Sequence, residues 1–209
     1  MQLINIFSSG FLETLDKWDK WLFLKINTEL TSPLMDVVAP FLRYSQAWIP
    51  LYIFLFLLVF INFGKKSWSW LLFAIITVVI TDQVSSTFFK NYFGRIRPCN
   101  VPELMGQIRL MVPHCSGGYS FTSSHAANHF GIGLYFFLTL KDYIGKWAWL
   151  FILWAAAISY SQIYVGVHYP GDVLGGTCIG LLTGFTTNFF FQRYFGMPEI
   201  LSLRKRAAP

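Results

Sequence analysis

The apolar residues of this chain gather into long, nearly uncharged runs set apart by short polar punctuation. A helix needs roughly 20 predominantly apolar residues to cross a bilayer, with about 17 as the lower limit. Runs at 48–63, 70–89, 123–140, 147–162 and 173–190 approach or pass that length. Only 12% of the 209 residues are charged, about half the share usual in soluble domains. The pattern predicts an all-α, polytopic membrane helix bundle of about five to six spans and excludes an ordinary soluble domain. There is no internal repeat, low-complexity tract or separate extramembrane unit, and the first residues lack the basic start and apolar run of a signal peptide.

Residues 11–43 read differently. Trp18, Trp21, Leu22, Leu24 and Ile26 are interleaved with Asp16, Lys17, Asp19, Lys20 and Lys25. Two readings stand: amphipathic helices lying in the interface, broken near Thr31-Ser32-Pro33, or a helix packed on the bundle. The chain is therefore expected to form a single membrane domain over 1–209, with an interfacial region (1–46), a transmembrane bundle (47–191) and a cytoplasmic tail (192–209).

Five spans put Lys65-Lys66, Lys141, Lys146, Arg193 and the tail cluster Arg204-Lys205-Arg206 on one side. The N-terminal segment, the polar loop 90–122 and the turn through His168 fall on the other. Basic residues hugging span ends favour the cytoplasm. Raw counts on the two sides tie, but the first side holds its charge in short segments. The polar loop and His168 are thus expected to face outward, which in a bacterial inner membrane means the periplasm. The net charge of +6 suits contact with anionic lipid.

Three segments on that outer side carry chemistry. Lys90 and Arg97 bracket the first; on a helix continuing past Phe89 they would lie two turns apart on one side. Two fixed cations make a clamp for a dianion, the guanidinium gripping oxygens bidentately and the ammonium adding a point charge. Thr122-Ser123-Ser124-His125 opens a span, where hydroxyl residues cap the helix. The free N–H groups there suit a bound phosphate. In the third segment His168 and Asp172 are four residues apart. A carboxylate so placed fixes the imidazole tautomer and leaves the other ring nitrogen free to attack. Taken singly, each segment has a plain structural explanation: charged span ends, capping, or an unrelated His near a helix start.

The three segments in order read Lys-x6-Arg-Pro, Ser-x-His and Ser-x6-His-x3-Asp, at Lys90, Arg97 and Pro98, then Ser123 and His125, then Ser161, His168 and Asp172. This resembles the type 2 phosphatidic acid phosphatase superfamily, whose pattern is K-x6-R-P, P-S-G-H and S-R-x5-H-x3-D. The resemblance covers about 90–172, and the flanking spans match the family's membrane branch rather than its soluble haloperoxidases. It implies His168 as a nucleophile forming a phosphohistidine, Asp172 as its orienting partner and His125 as the general acid. Lys90, Arg97, Ser123 and the Ser124 N–H would hold the phosphoryl oxygens. It also implies a lipid phosphate substrate and no metal ion or other cofactor. Candidate lipids are undecaprenyl diphosphate, which the small size and outward site favour, then lipid A, phosphatidylglycerol phosphate and phosphatidic acid. A lipid phosphotransferase fits the same motifs. Membrane lipids are the expected surroundings, nucleic acid is not an expected partner, and the oligomeric state stays open.

The sequence departs from the pattern at Thr122, Ser124 and above all Gln162, which stands where the family has arginine. A neutral side chain cannot replace guanidinium charge, and a charge-assisted phosphate contact is worth about 2–3 kcal/mol. Arg95 is the nearest substitute by sequence, provided the helix has ended by Gly94. Otherwise Gln162 itself binds phosphate, or the chain is a non-catalytic lipid-binding or transport protein. Cys99 and Cys115 lie in the polar loop, where an oxidising exterior favours a disulfide; free thiols or a chance metal site with His114 are the alternatives. Asp82 and His129 are ionisable groups within spans, either functional or paired in a buried hydrogen bond. Gly176, Gly180 and Gly184 mark a close-packing face.

Overall fold

A computed structural model describes residues 2–197, so the Arg204-Lys205-Arg206 cluster lies outside the described residues. Two helices come first: α1 (Gln2–Leu24) and, after a wide turn at Lys25–Glu29, α2 (Pro33–Arg43). Ser32 caps α2 by accepting from the Met35 N–H (3.2 Å), with Pro33 pre-set for the first turn. Next come α3 (Ile49–Phe63) and α4 (Ser67–Asp82), which runs on through wide helical turns at Gln83–Phe89 into α5 (Lys90–Phe93). The remaining helices are α6 (Ser124–Ile144), α7 (Trp149–Tyr164) and α8 (Pro170–Tyr194). Among the described residues there is no strand.

Among the described residues, two helical stretches are long and apolar enough to cross a membrane. One is Ser45–Phe93, in which α3 folds back on α4 at Gly64-Lys65-Lys66; the other is Pro170–Tyr194. The remaining expected spans correspond to α6, whose first turns carry Ser124, His125, Asn128 and His129, and to α7, which has 16 residues. α6 carries polar residues at both ends, with Lys141 and Asp142 at the end away from the motifs.

α6 is the central helix, touching α4, α7 and α8. Lipid tails supply no hydrophobic drive between helices, so close association relies on small residues that let backbones meet. α8 provides them. A Cβ at Gly176 would strike the Ser123 carbonyl of α6, one at Gly180 the Ala127 carbonyl, and one at Gly184 the Gly131 carbonyl. The glycine stripe thus packs inside the chain. At the end of the bundle away from the motifs, Trp70, Tyr135, Phe136, Phe151 and Phe191 form an aromatic core. Its polar atoms are paired: Trp70 Nε1 donates to Thr139 Oγ1 and Tyr135 Oη to the Trp70 carbonyl, both at 3.0 Å. At the motif end a second cluster joins Phe23 and Ile26 to Ala126, Tyr169 and Val173. The first two helices therefore pack on the bundle. α1 also leaves Leu12, Trp18 and Trp21 exposed while Asp16 and Asp19 turn toward Arg95.

Candidate active site

The three motif segments converge at the N-terminal ends of α6 and α8. Lys90 begins the last turn of the long α4–α5 helix, which stops at Gly94 in the left-handed region (φ 58°), accessible to glycine at no steric cost. Arg97 is extended (φ −68°, ψ 148°), as a residue before proline prefers. Lys90 and Arg97 therefore do not share a helix face. The fold nevertheless leaves Lys90 within electrostatic reach of Arg97 and Asp172.

His168 sits in the tight turn between α7 and α8 and is 3% exposed. Its backbone N–H donates to the Gln162 carbonyl at 3.2 Å, which fixes the turn. Nδ1 stands 3.4 Å from Asp172 Oδ2, and Nε2 stands 3.0 Å from Arg97 Nη1. A guanidinium only donates, so Nε2 presents its lone pair and the proton resides on Nδ1, toward the carboxylate. Burial, the largest influence, together with the charges of Arg97 and Lys90, lowers the His168 pKa to about 4 against the opposing pull of Asp172.

Asp172, in the first turn of α8, is fully buried. Beyond His168 it accepts from the Tyr169 N–H (2.8 Å), from Arg95 Nη1 (2.9 Å) and from the Ser120 hydroxyl. Ser120 also lies 3.5 Å from His168 Nδ1. No motif in the sequence signals Ser120; the polar loop brings it there, its N–H donating to the Arg95 carbonyl at 2.7 Å.

Ser123 is the N-cap of α6 and accepts from the Ala126 N–H at 3.4 Å. Its hydroxyl proton and the free N–H groups of the first turn remain available to an anion. The Ser124 hydroxyl contacts Ser86 (2.9 Å) and Ser85 (3.1 Å). Ser86 in turn donates to Asp82, which also accepts from Asn128 at 3.3 Å. Asp82 is thus tied into a hydrogen-bond network behind the site. His125 lies within electrostatic reach of His168 and Arg43. His129 meets the His125 carbonyl at 2.8 Å and the Trp154 ring at a 5.0 Å centroid distance.

Arg95 stands among carboxylates, with Asp19 at 2.7 Å, Asp172 at 2.9 Å and Asp16 at 3.0 Å, and stacks over Tyr169. No hydrogen bond links it to Gln162. The helix does end before Arg95, but its guanidinium is taken up by three counter-charges. Gln162 is fully buried; its NH₂ donates back to the Ile158 carbonyl and Ser161 Oγ, and its Oε1 accepts from Arg43 Nε at 3.2 Å. Sequence reasoning missed Arg43, which lies 47 residues before Lys90, well outside the motifs. Cys99 and Cys115 are paired with Cα atoms 5.9 Å apart, a normal separation for a disulfide.

An imidazole is held between a buried carboxylate and a guanidinium, beside a helix N-terminus and further cations. Residues 67–195 match the sequence pattern of the PAP2 superfamily. The chain belongs to the PAP2 superfamily. It is 31% identical over 185 residues to a lipid A 4′-phosphatase of Bacteroides thetaiotaomicron, covering 87% of this chain and 80% of that protein. An undecaprenyl-diphosphatase of Sulfolobus acidocaldarius is 27% identical over 165 residues, 78% of this chain and 74% of that one. The fold is similar to the crystal structure of a transmembrane PAP2-type phosphatidylglycerolphosphate phosphatase from Bacillus subtilis. That similarity has a TM-score of 0.68 at 21% identity, over 87% of this chain and 88% of the other. As a PAP2 member of the membrane branch, the chain is an integral-membrane lipid phosphatase that hydrolyses phosphate esters.

Proposed function

We propose that this PAP2 phosphatase removes a phosphate from a glycolipid of the lipid A type, without a metal ion, through a phosphohistidine at His168. The observation that carries the chemistry is the orientation of His168, with Nδ1 toward Asp172 and Nε2 toward Arg97. Nε2 attacks phosphorus and the P–O bond to the lipid breaks. The leaving oxygen takes the proton held by His125. Water then attacks the phosphohistidine, His125 accepts its proton, and phosphate departs with His168 restored. Lys90, Arg97, the Ser123 hydroxyl and the Ser124 N–H neutralise the oxygens during transfer, as fixed donors do for phosphoryl groups. Those cations supply the positive charge that a metal ion would otherwise bring.

The substrate class rests on the relatives. The lipid A 4′-phosphatase shares more of the chain, at higher identity, than the undecaprenyl-diphosphatase does. Undecaprenyl diphosphate, favoured from sequence, therefore stands second, ahead of phosphatidylglycerol phosphate and phosphatidic acid. A groove lined by Leu12, Leu15, Trp18, Leu22, Phe121 and Leu174 lies beside Arg95 and suits acyl chains. The single domain over 1–209 would sit in a bacterial inner membrane, its site open to the periplasm, α1 along the interface and the Cys99–Cys115 disulfide kept oxidised there.

Phosphate release from lipid A, undecaprenyl diphosphate, phosphatidylglycerol phosphate and phosphatidic acid, with and without EDTA, tests this reading. Lipid A should give the highest kcat/KM, unaltered by EDTA, and His168→Ala should release nothing. Loss with EDTA and recovery with a divalent ion would refute the metal-free mechanism; preference for undecaprenyl diphosphate would reverse the substrate order.

A further inference from the structure

Four arginines gather near the motif segments, and they divide into two kinds. Arg95 is paired with Asp16, Asp19 and Asp172, and Arg109 with Asp36 at 2.6 Å. Arg43 and Arg97 have no ion-pair partner among the described residues. Arg97 is buried and Arg43 half-buried; the charge of Asp172 acts on Arg97, and the like charge of Arg43 acts against it. The Nε of Arg97 is buried without a hydrogen-bond partner. Two guanidiniums close together, one of them buried, favour a further anion beside them.

Arg43 is held for such a role. It is the last residue of α2; its Nε donates to Gln162 Oε1 at 3.2 Å and its Nη2 to Ser116 Oγ at 3.1 Å. Guanidinium has five N–H donors, and Nη1 has no protein acceptor among the described residues. Gln162 keeps no donor for a ligand, because both its polar ends are engaged within the protein. Ser116 follows Cys115, which is paired with Cys99, two residues beyond Arg97. One short loop thus anchors both unpaired arginines.

We propose that Arg43 supplies the guanidinium contact to the substrate phosphoryl group that the Gln162 position lacks, with Gln162 acting as its holder. This rests on the phosphatase reading of the same site. An arginine at 162 would repel Arg43, whereas the glutamine carbonyl oxygen accepts from it. The site keeps one cation at this place, but brings it from α2 instead of α7.

The test uses the purified full-length protein in detergent, with two readouts: kcat/KM for lipid phosphate release and the Kd of orthovanadate. Arg43→Ala should lower kcat/KM about 10- to 100-fold, the range for a charge-assisted contact, and weaken orthovanadate comparably. Arg43→Ala/Gln162→Arg should recover to within about threefold of wild type in both, while Gln162→Arg alone should impair the enzyme. If Arg43→Ala fails to fold, Arg43→Gln, which retains a donor for Ser116, takes its place. A folded variant with wild-type orthovanadate affinity overturns the proposal, as does a folded double variant no better than the single one. If the wild-type protein releases no phosphate from any lipid yet binds orthovanadate in an Arg43-dependent way, the phosphatase reading fails and the role of Arg43 stands.

Discussion

His168 shows how one residue's chemistry depends on its surroundings. Burial disfavours the imidazolium, the neighbouring cations oppose it further, and Asp172 only partly offsets them, leaving a pKa of about 4. A pKa lowered from the ordinary value means the neutral ring predominates at every pH above it. Under the proposed mechanism, a His168 nucleophile is then ready across the physiological range, and its protonation removes activity only in acid. The rising limb of the kcat/KM profile should accordingly lie near pH 4; a limb near the ordinary value of about 6.5 would show that the ring is solvated. The sequence pointed to the His168–Asp172 pair because both lie in one local turn. It was silent on Ser120, whose bond to Asp172 depends on the path of a loop and not on any spacing.

At the scale of elements, Arg95 is a clamp between helices. It joins Asp16 and Asp19 of α1 to Asp172 of α8, and Asp19 also accepts from the Gly171 N–H at 2.7 Å. Removing it leaves a fully buried carboxylate without its ion-pair partner, a loss of about 3–5 kcal/mol in comparable pairs. Arg95→Ala should therefore lower both the thermal midpoint and kcat, and Gln162→Arg should not rescue either. Rescue by Gln162→Arg would show that Arg95 serves the phosphate directly. The α6–α8 contact offers a second test. Because a Cβ at Gly180 would strike the Ala127 carbonyl, Gly180→Leu must push two backbones apart, and overpacking of this kind typically costs about 1–3 kcal/mol. Its thermal midpoint in detergent should fall clearly below wild type; an unchanged midpoint would mean that the helices do not pack this closely.

For the whole molecule, the Cys99–Cys115 link and the outward site form one expectation. The pair closes the loop 99–115, with Arg97 two residues before it and Ser116 directly after it. In unfolded protein the two thiols should resist labelling until a reductant is added, while Cys178, exposed and unpaired, labels without it. If Arg43 and Arg97 bind phosphate as proposed, reduction of the native enzyme should also raise KM, since Arg97 flanks the loop and Ser116, next to Cys115, holds Arg43. Equal labelling with and without reductant would rule out the disulfide.

The apolar runs determined an all-helical membrane protein, because hydropathy and helix periodicity are local properties of the chain. Motif spacing likewise marked Lys90, Arg97, Ser123, His125, His168 and Asp172, since each short segment keeps its chemistry within a turn or two. Spacing also suggested that Lys90 and Arg97 share a helix face, which the left-handed Gly94 and the proline after Arg97 prevent. What happened at Gln162 was beyond the sequence. Arg95 was the nearer arginine along the chain, but distance along the chain says little about which charges meet once helices pack. Only the tertiary structure gave Arg95 to the aspartates of α1 and α8, and placed Arg43, 119 residues from Gln162, against its side-chain oxygen. Long-range electrostatic pairing is settled by how α1 and α2 dock on the bundle, and no local pattern encodes that docking.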